Sequence, residues 1–181
     1  MFSRVNGARN MNRFATCLLA AIALAMPAFA GPEGFKTGPA IEAYGPTAPV
    51  PDAERLAEDT VLKVAFDTSV AAEPGKLNKT LESAARFLNM HESIGIPAEN
   101  ISLAVVVHGG AAADLLAEEG NANAPLIAAL AEHRVRIILC GQTAAYRGFT
   151  RDDLLPEVEI SLSAMTSHAL LQRDGYTLNP F

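Results

Sequence analysis

Ile101-Ser102-Leu103-Ala104-Val105-Val106-Val107-His108, followed at once by Gly109-Gly110, is almost continuously apolar and rich in β-branched residues. A strand with one wet face alternates polar and apolar positions. A run that does not alternate suits a strand buried on both faces, as in a parallel sheet covered by helices. The segments on either side carry the same message. Upstream, Val61 to Asp67 reads as a first strand, Pro74-Gly75 as a turn, and Lys76 to Glu92 as a helix. In that helix Leu77, Leu81, Ala84, Ala85 and Leu88 fall at helical spacing, and Gly95-Ile96-Pro97 closes it.

Downstream, Ala111 to Glu119 and Pro125 to His133 are expected to be helical, with Asn123 as a cap ahead of Pro125 in the first turn. Val135 to Cys140 is the third strand, and Gly141 turns the chain into a short helix. Thr150 to Leu155 reads as a capped turn with Asp153 three residues after Thr150. Val158 to Leu162 is a short fourth strand, and Ser163 caps a last helix from Ala164 to Arg173. Strand and helix therefore alternate throughout. The expected fold class is α/β: a single three-layer domain, spanning residues 60–181, with a mainly parallel sheet of about four to five strands flanked by helices.

Two segments precede this domain. Arg4, Arg9 and Arg13 give a basic start without acids, Cys17 to Met26 is a short apolar run, and Ala28-Phe29-Ala30 supplies small residues suited to signal cleavage. Residues 1–30 are thus expected to be a signal peptide cleaved before Gly31, which predicts a periplasmic or secreted protein with no membrane attachment after cleavage. An uncleaved anchor is the alternative, although the run is short for a bilayer span. Residues 31–59 hold Pro32, Pro39, Pro46, Pro49 and Pro51 interleaved with glycines. They read as a linker or arm on the surface, with Phe35, Ile41 and Tyr44 as the side chains able to dock it.

Charge narrows the field of partners. The whole chain carries 14 basic and 20 acidic residues, a net of −6. Without the three signal arginines, eleven bases face the same twenty acids, a net of about −9. An acidic protein of this kind is not expected to bind nucleic acid or an anionic membrane surface.

Signal cleavage would also leave Cys140 as the sole cysteine, so no disulfide could form within the mature chain. The four histidines, His91, His108, His133 and His168, show no metal-ligand spacing, and neither a metal nor a cofactor is expected. In parallel sheets ligands gather beyond the carboxyl ends of the strands. Those ends are Asp67-Thr68, His108-Gly109-Gly110 and Cys140-Gly141-Gln142. If the second and third strands are neighbours, His108 and Cys140 share one edge. A helix start and a nearby imidazolium would both favour the reactive thiolate, and Gln142 with the N–H groups after Gly141 would bind a sulfur-borne anion. The competing reading makes Cys140 a quiet core residue, His108 a strand-end hydrogen-bonding group and Asp67 a helix or turn cap. Asn89 reads as a residue that fixes a loop through its side chain.

Other chemistries fail on spacing. Gly109-Gly110 lacks the Lys-Ser/Thr of a phosphate loop, and no Gly-x-Ser-x-Gly elbow is present. The interval from Cys140 to Arg147 is one residue too long for a cysteine-phosphatase loop.

The segments Val105-Val106-Val107-His108-Gly109, Val135 to Gln142 and Leu170 to Tyr176, with Asn78, Leu88-Asn89 and Leu126 to Leu130, together resemble the DsrE/DsrF-like family over about Leu62 to Pro180. The resemblance implies a small α/β domain that forms homo- or hetero-oligomers, often trimers or hexamers. In sulfur-relay members a cysteine after a central strand takes up sulfur as a persulfide and passes it to a partner thiol; Cys140 falls at that position. The resemblance makes Cys140 the expected catalytic position and places His108 and Gln142 in matching motifs, while the strand-end reading gives His108, Gly109, Gly141 and Gln142 as the expected binding positions beside it. The expected function is that of an exported sulfur carrier or sulfur-transfer protein. The alternative is a non-catalytic oligomeric binding module in which Cys140 is structural.

Overall fold

The computed structural model describes Met1 and residues 31–179; the expected signal segment and cleavage site lie outside the described residues. Five strands form one sheet: β1 (Leu62–Thr68), β2 (Ile101–Val107), β3 (Arg136–Cys140), β4 (Val158–Ser161) and β5 (Thr177–Asn179), in the spatial order β4-β3-β2-β1-β5. All four pairings are parallel. The connecting helices are α1 (Lys79–Ser93), α2 (Ala124–Glu132), α3 (Gly141–Arg147) and α4 (Ala164–Arg173). Strands β2 and β3 are neighbours, with Val107 opposite Leu139. The expected α/β class with a parallel sheet is what the chain adopts.

Side chains on successive strand positions point to opposite faces. One face carries Val64, Phe66, Leu103, Val105, Val107, Ile137 and Leu139 into a large core with Leu81 and Leu88 of α1 and Leu126, Ile127 and Leu130 of α2. The other face carries Ala65, Ala104, Val106 and Ile138, a thin layer closed by Leu171 of α4. Small residues on this second face let α4 lie close to the sheet. Extending the same alternation by two residues puts Asp67, His108 and Cys140 on the α4 face, at the carboxyl end of the sheet.

Helix α1 starts at Lys79, later than the apolar spacing alone predicts, because Asn78 caps it. The Asn78 side chain accepts from the N–H groups of Thr80 (3.0 Å) and Leu81 (3.4 Å). Asn123 precedes α2 as expected but does not cap it with its side chain; its Oδ1 accepts from the Asn78 N–H at 2.7 Å and so ties the two helix starts together. Residues 109–115 form 3-10 helix instead of the expected α-helix, and Leu116 then pairs with Leu154. Strand β5 follows Gly175 at the edge of the sheet, beside β1.

The proline-rich segment folds back on itself between Lys36 and Thr47, whose N–H and C=O groups exchange two hydrogen bonds of 2.8 Å. Ile41 is buried in the main core and Tyr44 packs against it, while Phe35 stays exposed. Asn89, wholly buried on α1, holds this loop. Its Oδ1 accepts from Ile41 N–H at 2.7 Å, and its Nδ2 donates to the carbonyls of Ile41, Tyr44 and Gly45 at 2.8–3.1 Å.

Candidate functional site

Cys140 ends β3 and directly precedes α3, so its backbone is extended while the next residue is helical. That abrupt change needs Gly141. A Cβ there would lie 2.4 Å from the carbonyl oxygen of Ser161 on β4, closer than any side chain tolerates. The glycine therefore lets α3 begin directly at the strand end. It also leaves the first N–H groups of the helix beside the sulfur, where a helix has unsatisfied donors.

Cys140 is 6% exposed. Burial pushes its thiol up, but hydrogen bonding to the Thr143 hydroxyl and to the backbone N–H groups of Thr143, Ala164 and Gln142 outweighs it. The thiol ends below its ordinary value. These donors come from two places: the first turn of α3 and Ala164, the first residue of α4. Ser163 shapes the second of them by accepting from Thr166 N–H at 3.0 Å and holding the start of α4 in place. A thiolate surrounded by N–H and O–H donors is stabilised relative to the thiol, and the thiolate is the nucleophilic form.

Thr143 connects the two strand ends. Besides serving the sulfur, its Oγ1 accepts from the N–H of Gly109 at 3.2 Å. Gly109 itself has φ +54, and a Cβ there would press on Ser69 O at 3.2 Å, so this turn also requires glycine.

His108 does not hydrogen-bond the sulfur. Its Nε2 lies 3.1 Å from Asp67 Oδ2, and the other carboxylate oxygen, Oδ1, lies 2.7 Å from Nε2 of His168 on α4. Asp67 is thus no turn cap: it bridges two histidines that stand 41 and 101 residues away. The Gln142 side chain turns outward and donates to Leu162 O at 3.4 Å; only its backbone N–H serves the sulfur.

The structure therefore brings Cys140, Gly141, the Gln142 backbone, His108 and Gly109 to one end of the sheet. It adds Thr143, Ala164 and His168, which reading the sequence by strand ends did not single out. Thr143 had a visible signal, since three residues after Cys140 puts it in the first helical turn. His168 had a weaker one, four residues after Ala164 and so on the same stripe of α4. Leu162, Met165 and Tyr146 are exposed near this end, at 71%, 80% and 92%.

Among the described residues no three His, Cys, Asp or Glu side chains are grouped to hold a metal ion, and no helix is long and apolar enough to cross a membrane.

A model of the DsrE/DsrF-like family matches residues 62–180. Comparison with curated proteins gives no match. Among solved structures, the chain resembles MTH1491 of Methanobacterium thermoautotrophicum, a protein of unknown function, at a TM-score of 0.54 and 20% identity; the match covers 66% of this chain and 99% of that one. It also resembles the ychN protein of E. coli, at a TM-score of 0.51 and 18% identity, over 67% of this chain and 100% of that one. At these identities the likeness is one of fold.

Proposed function

This chain belongs to the DsrE/DsrF-like family, and on that premise we propose that it carries or transfers sulfur as a persulfide on Cys140. The observation that carries the reading is the place of Cys140 at the carboxyl end of β3, directly before α3, where Gly141 lets the helix begin beside the sulfur; the donors there favour a thiol below its ordinary value despite burial. Cys140 thiolate attacks the outer sulfur of a persulfide R–S–SH. A new S–S bond forms to Cys140, the old one breaks, and R–S⁻ leaves with the electron pair. An acceptor thiolate then attacks the outer sulfur of the Cys140 persulfide and releases Cys140 as thiolate. A thiol with a lowered pKa leaves more readily, so the donors that prepare Cys140 as nucleophile also prepare it for release.

The basic and apolar start of the chain supports export and cleavage before Gly31, with residues 31–59 as an arm on the 60–181 domain. In that setting Cys140 is the one thiol of the mature protein, and the acceptor is a thiol of another protein. The exposed Leu162, Met165 and Tyr146 support a surface for a partner or for further copies of the chain in a homo-oligomer such as a trimer or hexamer.

Incubation with polysulfide followed by mass spectrometry tests the reading. Mature protein is expected to gain mass in sulfur-sized steps, and Cys140→Ser to gain none; equal gain by both ends the hypothesis. The low exposure of Cys140 favours one rival, a binding module with a structural thiol. A sulfur that is inert in the folded protein and titrates only after denaturation would establish that rival.

A further inference from the structure

The cluster of Asp67, His108 and His168 is built from three elements: the end of β1, the residue after β2, and α4. All three side chains lie on the sheet face that carries Cys140. They are partly exposed, at 33%, 34% and 18%, and polar contacts in such positions contribute little to stability. A carboxylate only accepts hydrogen bonds, so each ring presents Nε2–H to Asp67 and its uncharged form keeps Nδ1 as the acceptor. In His168 that Nδ1 is buried and without a partner. His108 is the more exposed of the two rings, and it follows Val107, whose β3 neighbour Leu139 directly precedes Cys140.

We propose that Asp67 is a positioning residue that holds His108 with Nε2 protonated, so that Nδ1 carries the proton of the Cys140 reaction. The proposal rests on the sulfur-transfer reading for its biological reaction, though not for its chemistry. The Cys140 thiol gives its proton to His108 Nδ1 and becomes thiolate. The thiolate attacks a sulfur–sulfur bond, the new S–S bond forms, and the displaced thiolate takes the electron pair. His108 then returns the proton to that thiolate and ends neutral, so the cycle needs no oxidant or reductant beyond the sulfur donor itself. His168 secures the second oxygen of Asp67 and keeps the carboxylate turned toward His108.

Return of the proton matters when the leaving thiolate is basic and hardly at all when it is stable without a proton, whereas formation of the Cys140 thiolate counts for both. Two disulfides separate these cases: glutathione disulfide, with an alkyl thiolate, and dithiobis(nitrobenzoate), with an aromatic one. Asp67→Asn and His108→Gln are each expected to slow exchange of Cys140 with glutathione disulfide by about 10- to 100-fold, at or just below the lower limit of general acid–base effects. With the aromatic disulfide only thiolate formation is affected, so both variants are expected to lose at least about threefold less than with glutathione disulfide, and that reaction also reports that the site is still folded. Equal losses with both reagents would mean that His108 returns no proton to the leaving group and overturn the proposal, as would no loss with either, or a parent Cys140 inert to both. The sulfur-transfer reading fails separately: a parent protein that shows the leaving-group effect but takes no sulfur from polysulfide keeps this proposal and loses that one.

Discussion

Leu139 and Cys140 are consecutive in β3 and face opposite ways. Leu139 enters the large core under α1 and α2, among Phe66, Val107 and Leu126, with no solvent exposure. Cys140 lies on the α4 face, where the buried apolar layer is only Ala65, Ala104, Val106, Ile138 and Leu171. The first face is filled with large aliphatic side chains. The second is kept thin by alanines, and toward its carboxyl end apolar packing gives way to Asp67, His108 and Cys140. One sheet thus separates two tasks: one face anchors the fold, and the other brings α4 close enough for Ala164 and His168 to take part in the site.

The largest effect that tests this division is Leu139→Ala. It removes buried methyl groups from a filled core and is expected to destabilise by about 2–5 kcal/mol. The denaturation midpoint in urea should fall with little change in slope. A loss under about 1 kcal/mol would break the comparison, because the α1/α2 face would then not be the anchor.

The same contrast explains what could be read from the sequence. Alternation of strands and helices and the nearly continuous apolar Ile101–Val107 run implied the parallel sheet, because burial on both faces leaves a pattern within seven consecutive residues. The strand ends then pointed to His108 and Cys140. The partners of those residues come from elsewhere in the chain and leave no local pattern. Asp67 resembled a cap because an acid after a strand usually finds nearby N–H groups; here it finds rings 41 and 101 residues away. Strand β5, only Thr177–Asn179, is an edge strand whose residues are exposed or half-buried, so it shows no apolar signature. Asn89 was legible as a loop-fixing residue because a polar side chain on the apolar stripe of α1 has to find partners there.

Asn89→Ala is expected to have the middle effect. The substitution strands the buried Ile41 N–H and the carbonyl groups that Asn89 serves, at a cost of about 1–3 kcal/mol. The damage should be local. Hydrogen exchange is expected to accelerate in residues 36–47 and to stay slow in β2 and β3. Uniform acceleration across the sheet would show that the proline-rich loop is part of the anchor itself, and would sharpen the comparison by moving its boundary.

The smallest effect on stability and the most specific one on chemistry is expected from Thr143→Val. Valine keeps the shape of threonine but gives up the hydroxyl that accepts from Gly109 N–H and hydrogen-bonds the Cys140 sulfur. Near neutral pH the cost to folding should be about 1 kcal/mol. The consequence for the thiol follows from its direction of shift. A thiol held below its unfolded value stabilises the folded protein most above the unfolded pKa, and that contribution is lost as pH falls through the folded value. Removing one of the donors raises the folded value, so the variant should lose stability relative to the parent chiefly on the alkaline side. The rate of alkylation by iodoacetamide against pH should shift to higher pH, with a fall of up to roughly tenfold near neutrality, the worth of one hydrogen bond to a charged group. An unshifted curve would assign the lowered thiol to the backbone donors of Gln142, Thr143 and Ala164 alone. The chemistry of the α4 face would then be set by where the two helices begin, and Thr143 would serve only to join the ends of β2 and β3.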